Sequence, residues 1–259
     1  MPTRAEKKIW RSLRRRKGRR ESGLFLLEGP RLLAEALAAG TRLEAVLYAD
    51  PAVDDPSVRD LLERAEADVR VERVPMPCIE EIADAASPQP VLAVAVVPVR
   101  SWDDVGSGLV VLLDGVQDPG NAGTLIRTAV ALGAGAVVGL GESADPWGPK
   151  VVRASAGASL RVPVFRDSRA SALAALERLG RDLWVASAEG EPLGRSAGIP
   201  GAVALGSEAH GISDELREAA ERVVAIEMPG GTESLNVAAA GAILLDRLTD
   251  DRSGCGGRD

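Results

Sequence analysis

The chain reads as α/β twice over, and three observations predict it. Short runs of Val, Ala and Leu alternate with helical patterns, as expected of buried parallel strands covered by helices. The alternation stops near residue 100 in a stretch rich in Pro, Gly, Ser and Asp, and then restarts. The 259 residues are 46% hydrophobic and 27% charged, a globular balance with length for two ordinary domains. No apolar run approaches the about 18 residues of a membrane-spanning helix, and the basic N-terminus lacks an apolar secretory core. A cytoplasmic protein with no membrane partner is expected. Cys78 and Cys255 are far apart, so neither a disulfide framework nor a metal site is expected.

The elements follow in order. "LFLLEG" reads as a strand and residues 30–39 as a helix, with Pro30 at its first position and Gly40 at its end. "LEAVLYAD", "VRVERV" and "VLAVAVV" are further strands, with helices "PSVRDLLERAEAD" and "PCIEEIADAA" between them. Beyond the linker, "LVVLLDGV", "AGAVVGL", "RVPVF", "DLWVASAE", "AVALGSE" and "RVVAIEM" are strands. "TLIRTAVALG", "PKVVRASAGAS", "SALAALERLG", "SDELREAAE" and "SLNVAAAGAILLDRL" are helices. The boundaries are a basic arm or helix at 1–20, a smaller α/β domain at 21–98, a linker at 99–108, a larger domain at 109–249 and a frayed tail at 250–259.

The net charge of −7 conceals a division. Residues 1–20 hold ten Lys and Arg against Glu6 alone, leaving 21 basic against 37 acidic residues in the rest. A local basic segment binds phosphates by releasing counterions whatever the global sign. The same run also reads as a solvated helix that only aids solubility.

Ligands of parallel sheets lie at the carboxyl ends of the strands. Three loops expected there are unusual: "QDPGNAGT" (117–124), "GSEAHGIS" (206–213) and "MPGGTESLN" (228–236). Each alone is also a plain turn. Together they offer close backbone approach and hydrogen bonds to a flat polar ligand. No P-loop is present, and "GAGAVVG" leads into a strand where a dinucleotide fingerprint would leave one. His210 is the only histidine and no nucleophile elbow accompanies it, so it reads mostly as a loop residue.

"NAGTLIRTA", "LGSEAHGIS" and "IEMPGGTESLNVAAAGAILL" resemble the three ordered motifs of the SpoU (TrmH) family of RNA 2′-O-ribose methyltransferases, a branch of the SPOUT superfamily, over roughly residues 109–248. "RRESGLFLLEGPRLLAEALAAGTRLEAVLY" resembles the L30e-like RNA substrate-binding domain of rRNA-directed members. The resemblance implies a trefoil-knotted parallel-sheet domain, S-adenosylmethionine as cofactor, and a homodimer acting on RNA, with 23S rRNA favoured over tRNA. It carries over Leu205, Gly206, Ile226, Met228, Ser234 and Leu235 as cofactor-binding residues. It gives Asn121, Arg127, Glu208, Ser234 and Asn236 as the polar catalytic positions. Ala238, Ala239 and Ala240 stand where many relatives have a Ser or Thr, which implies local repacking only.

The chemistry suits these types. A ribose hydroxyl is a poor nucleophile and must be aligned and deprotonated. Arg127 can hold a phosphate or stabilise growing negative charge, its very high pKa making it a demanding base. Ser234 and Asn236 would position the ribose, and Glu208 would orient Arg127 or Asn121 or act as a helix N-terminal charge. Two other readings stay open: a knotted RNA-binding assembly protein without catalysis, and a small-molecule enzyme on an α/β domain.

Overall fold

The computed structural model describes residues 1–67, 69–194, 199–231 and 234–249. The tail expected at 250–259, with Cys255, lies outside the described residues. The chain forms two compact units, one of residues 1–99 with 147–161 and one of residues 100–146 with 162–259.

In the first unit the basic stretch is two helices, α1 (Arg4–Ser12) and α2 (Arg16–Ser22). Thr3 caps α1 through a reciprocal box with Glu6, the Glu6 amide donating to Thr3 Oγ1 at 3.2 Å and the Thr3 amide donating to Glu6 Oε2 at 2.7 Å. Trp10 and Leu13 are fully buried. Arg14 donates from Nε to the Ile82 carbonyl at 2.9 Å, and Arg19 donates to the Leu13 carbonyl at 2.6 Å. This stretch is therefore neither a loose arm nor a merely solvated helix; two of its cations and two of its apolar residues tie it down. Arg4, Lys8, Arg15, Arg16 and Arg20 stay exposed.

The unit continues as β1 (Leu24–Glu28), α3 (Pro30–Ala38), β2 (Leu43–Tyr48), α4 (Pro56–Glu66), β3 (Arg70–Arg73), α5 (Met76–Ile82) and β4 (Val91–Val96). The four strands lie in the order β1-β4-β2-β3. Only β2 and β3 are parallel; β4 runs antiparallel to both its neighbours. The α/β pattern alone leaves these directions open, because an apolar run looks the same in either direction. Trp10, Leu13, Leu26, Leu47, Ile79 and Leu92 share one core.

Residues 147–161, assigned by sequence to the larger domain, cluster with this unit. Their helix, α7 (Pro149–Ala154), is shorter than the expected 149–159. The Trp147 ring sits 4.9 Å from that of Phe25, and Arg153 pairs with Glu28 at 3.1 Å and Asp84 at 2.9 Å.

The second unit holds β5 (Val110–Asp114), α6 (Pro119–Ala131), β6 (Ala136–Leu140), β7 (Val164–Asp167), α8 (Arg169–Arg178), β8 (Leu183–Pro192), β9 (Ala202–Gly206), α9 (Asp214–Ala219), β10 (Arg222–Ala225) and α10 (Val237–Thr249). Its six strands are ordered β10-β8-β9-β5-β6-β7, with every pairing parallel, as the near-continuous apolar runs predict. In register, the last residue of β5, Asp114, faces Gly206 of β9 and Leu140 of β6. The loops after β5 and β9 therefore leave the sheet side by side. Helices α6 and α10 pack closely because residue 241 is glycine: a Cβ there would overlap the Leu125 side chain.

Helix α6 starts at Pro119, not near Thr124 as the sequence pattern suggests. Asp118 caps it by accepting from the Asn121 amide at 2.8 Å, and Pro119 occupies the first helical position. Gly120 and Gly123 conceal this start because both are weak helix formers. The loop expected at 117–124 is thus largely the first turn of a helix.

Because Trp10 fills the first unit's core, Trp10→Ala should cost about 3–5 kcal/mol of stability, read as a lower urea midpoint. An unchanged midpoint would show the basic helices to be detachable.

Candidate functional site

The site is built where three distant segments meet. The first turn of α6 presents Asn121, and a tight turn after β9 presents Glu208. In that turn the Ser207 amide donates to the Gly211 carbonyl at 3.1 Å and the Gly211 amide donates to the Ser207 carbonyl at 2.9 Å. Gly206 permits this fold-back, since a Cβ there would overlap the backbone of Gly211. Asn236 caps α10, its Oδ1 accepting from the amides of Ala238 at 3.0 Å and Ala239 at 3.3 Å.

Their side chains form one cluster. Asn236 Nδ2 donates to Glu208 Oε1 at 2.7 Å and to Asn121 Oδ1 at 3.1 Å. Asn121 Nδ2 donates to the same Glu208 oxygen at 3.2 Å, and the Val237 amide adds a fourth contact at 3.3 Å. Glu208 Oε1 is thus occupied by three donors, while Oε2 makes no hydrogen bond among the described residues.

A cavity of about 470 Å³ lies on one side of the cluster. All six residues expected to bind cofactor line it: Leu205, Gly206, Ile226, Met228, Ser234 and Leu235. Glu208 and Asn236 face it too, as do Ser187, Glu189 and Arg217, which the sequence reading missed. Arg217 donates to Glu189 Oε2 and to Ser187 Oγ, each at 3.1 Å. The missed signal was the polar tail of "DLWVASAE", a buried strand that turns hydrophilic at its carboxyl end.

Arg127 does not join the cluster. It lies on α6 beyond Asn121, is exposed, lines neither cavity at this edge, and makes no ion pair or hydrogen bond among the described residues. Six helical residues advance the chain about 9 Å and turn it away from the Asn121 face. Glu208 accordingly orients Asn121 and Asn236, and it does not orient Arg127.

These features define an α/β enzyme that holds an organic ligand at the carboxyl edge of a parallel sheet and sets amide and carboxylate groups beside it. The SpoU rRNA Methylase family model matches residues 108–246, and an MRM3-like substrate binding domain model matches residues 6–93. The 23S rRNA (guanosine(2553)-2′-O)-methyltransferase RlmP of Bacillus subtilis is 32% identical over 93% of this chain and 94% of its own length. The 23S rRNA (uridine(2479)-2′-O)-methyltransferase of Streptomyces viridochromogenes is 29% identical over 95% and 90%. The structure of the SpoU methyltransferase AviRb from that organism, in complex with AdoMet, superposes with a TM-score of 0.87 at 27% identity, covering 99% of this chain and 100% of that one. The chain belongs to the SpoU rRNA methylase family.

Because Asn236 both caps α10 and ties Asn121 to Glu208, Asn236→Ala should lower stability by about 0.5–2 kcal/mol in urea unfolding. A neutral effect would mean that solvent replaces the cap without cost.

Proposed function

We infer that the protein transfers a methyl group from S-adenosylmethionine to a ribose 2′-hydroxyl of 23S rRNA. The observation that carries this reading is the Asn121, Glu208 and Asn236 cluster beside a cavity suited to the cofactor. The cavity suits it in donor set as well as size. Leu205, Ile226, Leu235, Val237 and Leu244 give an apolar wall for an adenosyl group, and Arg217 gives a cation for a carboxylate. When bound, the cofactor supplies an electrophilic methyl on a positively charged sulfur. Leu205, Gly206, Ile226, Met228, Ser234 and Leu235 would hold it.

The chain's own work is to place and deprotonate the hydroxyl. Glu208 Oε1 is held by its three donors, which fixes the carboxylate and leaves Oε2 to take the 2′-hydroxyl proton. The second N–H of Asn121 Nδ2 can donate to the ribose oxygen, and Ser234 positions the sugar. Arg127, exposed and without an ion pair among the described residues, serves as a phosphate clamp outside the cluster. The exposed cations of α1 and α2 add non-specific RNA affinity, and the first unit acts as the substrate-binding domain. The same reading makes the enzyme a cytoplasmic homodimer with the knotted path of its family. Ile243, 36% exposed on α10, supplies apolar surface for the dimer contact.

Labelled methyl transfer to rRNA and to tRNA, followed by nuclease digestion, tests the activity. A 2′-O-methylated nucleoside from 23S rRNA is expected; label only in tRNA, or on a base, would overturn it. Glu208→Gln keeps an acceptor oxygen but removes the base, so kcat should fall about 10²-fold or more while cofactor affinity changes little. A fall in cofactor affinity alone would make Glu208 a cofactor ligand only. Arg127→Ala should abolish transfer with cofactor affinity kept within a few-fold. Neutralising Arg15, Arg16 and Arg20 together should flatten the salt dependence of RNA binding, and an unchanged slope would remove α2 from the interface.

A further inference from the structure

A second cavity, of about 450 Å³, opens on the other side of the Glu208 turn. It shares Ser207, Glu208, Gly211 and Val237 with the first, so these residues form a common wall. The cluster itself straddles that wall. Asn236 lines the first cavity and Asn121 the second, and they are joined at 3.1 Å.

One side of the second cavity is built and rigid. The Asp114 carboxylate, 1% exposed, accepts from Arg169 Nε at 2.7 Å through Oδ1 and from the Ser213 amide at 2.8 Å through Oδ2. Arg169 itself is 31% exposed and lines the cavity, so one part of its guanidinium is pinned and another remains available. Gln117, Glu142 and His210 also line it, all exposed and with no side-chain hydrogen bond among the described residues, whereas the Asp118 carboxylate beside them is used as the cap of α6. They offer amide, carboxylate and imidazole groups, a mixed donor and acceptor set with no Phe, Tyr or Trp ring.

We propose that this second cavity seats the unstacked nucleobase of the target nucleotide, with Gln117, Glu142 and His210 reading its edge and the Arg169 plane supporting it. The proposal rests on the methyl-transfer reading above. Substitution at the methyl carbon requires the attacking oxygen to meet it from the side opposite the leaving sulfur, so the acceptor ribose sits at the cluster, in contact with the cofactor. The cluster reaches both cavities, so a ribose seated there with the cofactor in the first cavity has its base within reach of the second. A base buried in a stack could not enter, so the nucleotide is turned out of its helix or loop first. With few aromatic residues in the chain, recognition by hydrogen bonds and by a guanidinium plane takes the place of ring stacking.

The test pairs protein variants with an altered substrate. The wild-type enzyme first maps the methylated ribose, and an RNA fragment carrying that site is made with and without the base at that sugar. Glu142→Ala, Gln117→Ala and His210→Ala should leave S-adenosylhomocysteine affinity unchanged by calorimetry. At least one should lower kcat/KM on intact RNA about tenfold or more. On the abasic RNA the wild-type enzyme should be impaired, and the variants should lose nothing further. Equal wild-type rates on both RNAs, or variant losses that persist on the abasic RNA, would overturn the proposal. No transfer by the wild-type protein to any RNA would overturn the methyl-transfer reading, and this proposal with it.

Discussion

A single carboxylate oxygen holds the site together. Glu208 Oε1 accepts from Asn121, from Asn236 and from the Val237 amide, joining the start of α6, the turn after β9 and the start of α10. Each segment ends or begins a regular element, and one of the three donors, the Val237 amide, is a helix-terminal group that needs a partner in any case. Helix capping and the proposed catalysis thus draw on the same residues. The negative charge near two helix N-termini is favourable in itself, which lets a carboxylate sit there without a cationic partner.

Asp114 performs the matching task one strand over. Ending β5 in a buried position, it holds the Ser213 amide at the N-cap of α9 and Arg169 at the start of α8. A buried carboxylate is tolerable only with such full satisfaction. The two carboxylates brace the turn between β9 and α9 from either end. That turn is in turn possible only because Gly206 admits the Gly211 backbone. The two cavities lie on its two sides, so its position sets the shape of both.

Much of this was legible in the residues. The six parallel strands of the second unit show as runs such as "LVVLLD" and "AVALG", because strands buried on both faces carry no alternation to confuse. The six residues that the family resemblance gives for the cofactor site do line one cavity, and four of its five polar positions lie at or beside it. What escaped depended on partners distant in sequence. The direction of β4 is set by where the chain re-enters the sheet, and Arg14 and Arg19 look like surface charge until the carbonyls they meet are known. The early start of α6 hid behind Gly120 and Gly123. Arg127, grouped with Asn121 by the family resemblance, separates from it once α6 includes both.

A structure of the protein with S-adenosylhomocysteine and an RNA fragment carrying the modified position would test the central claim most directly. The account predicts the homocysteine sulfur in the cavity lined by Leu205, Gly206, Ile226 and Leu235, and the acceptor 2′-oxygen within hydrogen-bond reach of Glu208 Oε2 and Asn121. A ribose held away from that cluster, or a cofactor seated in the other cavity, would contradict it.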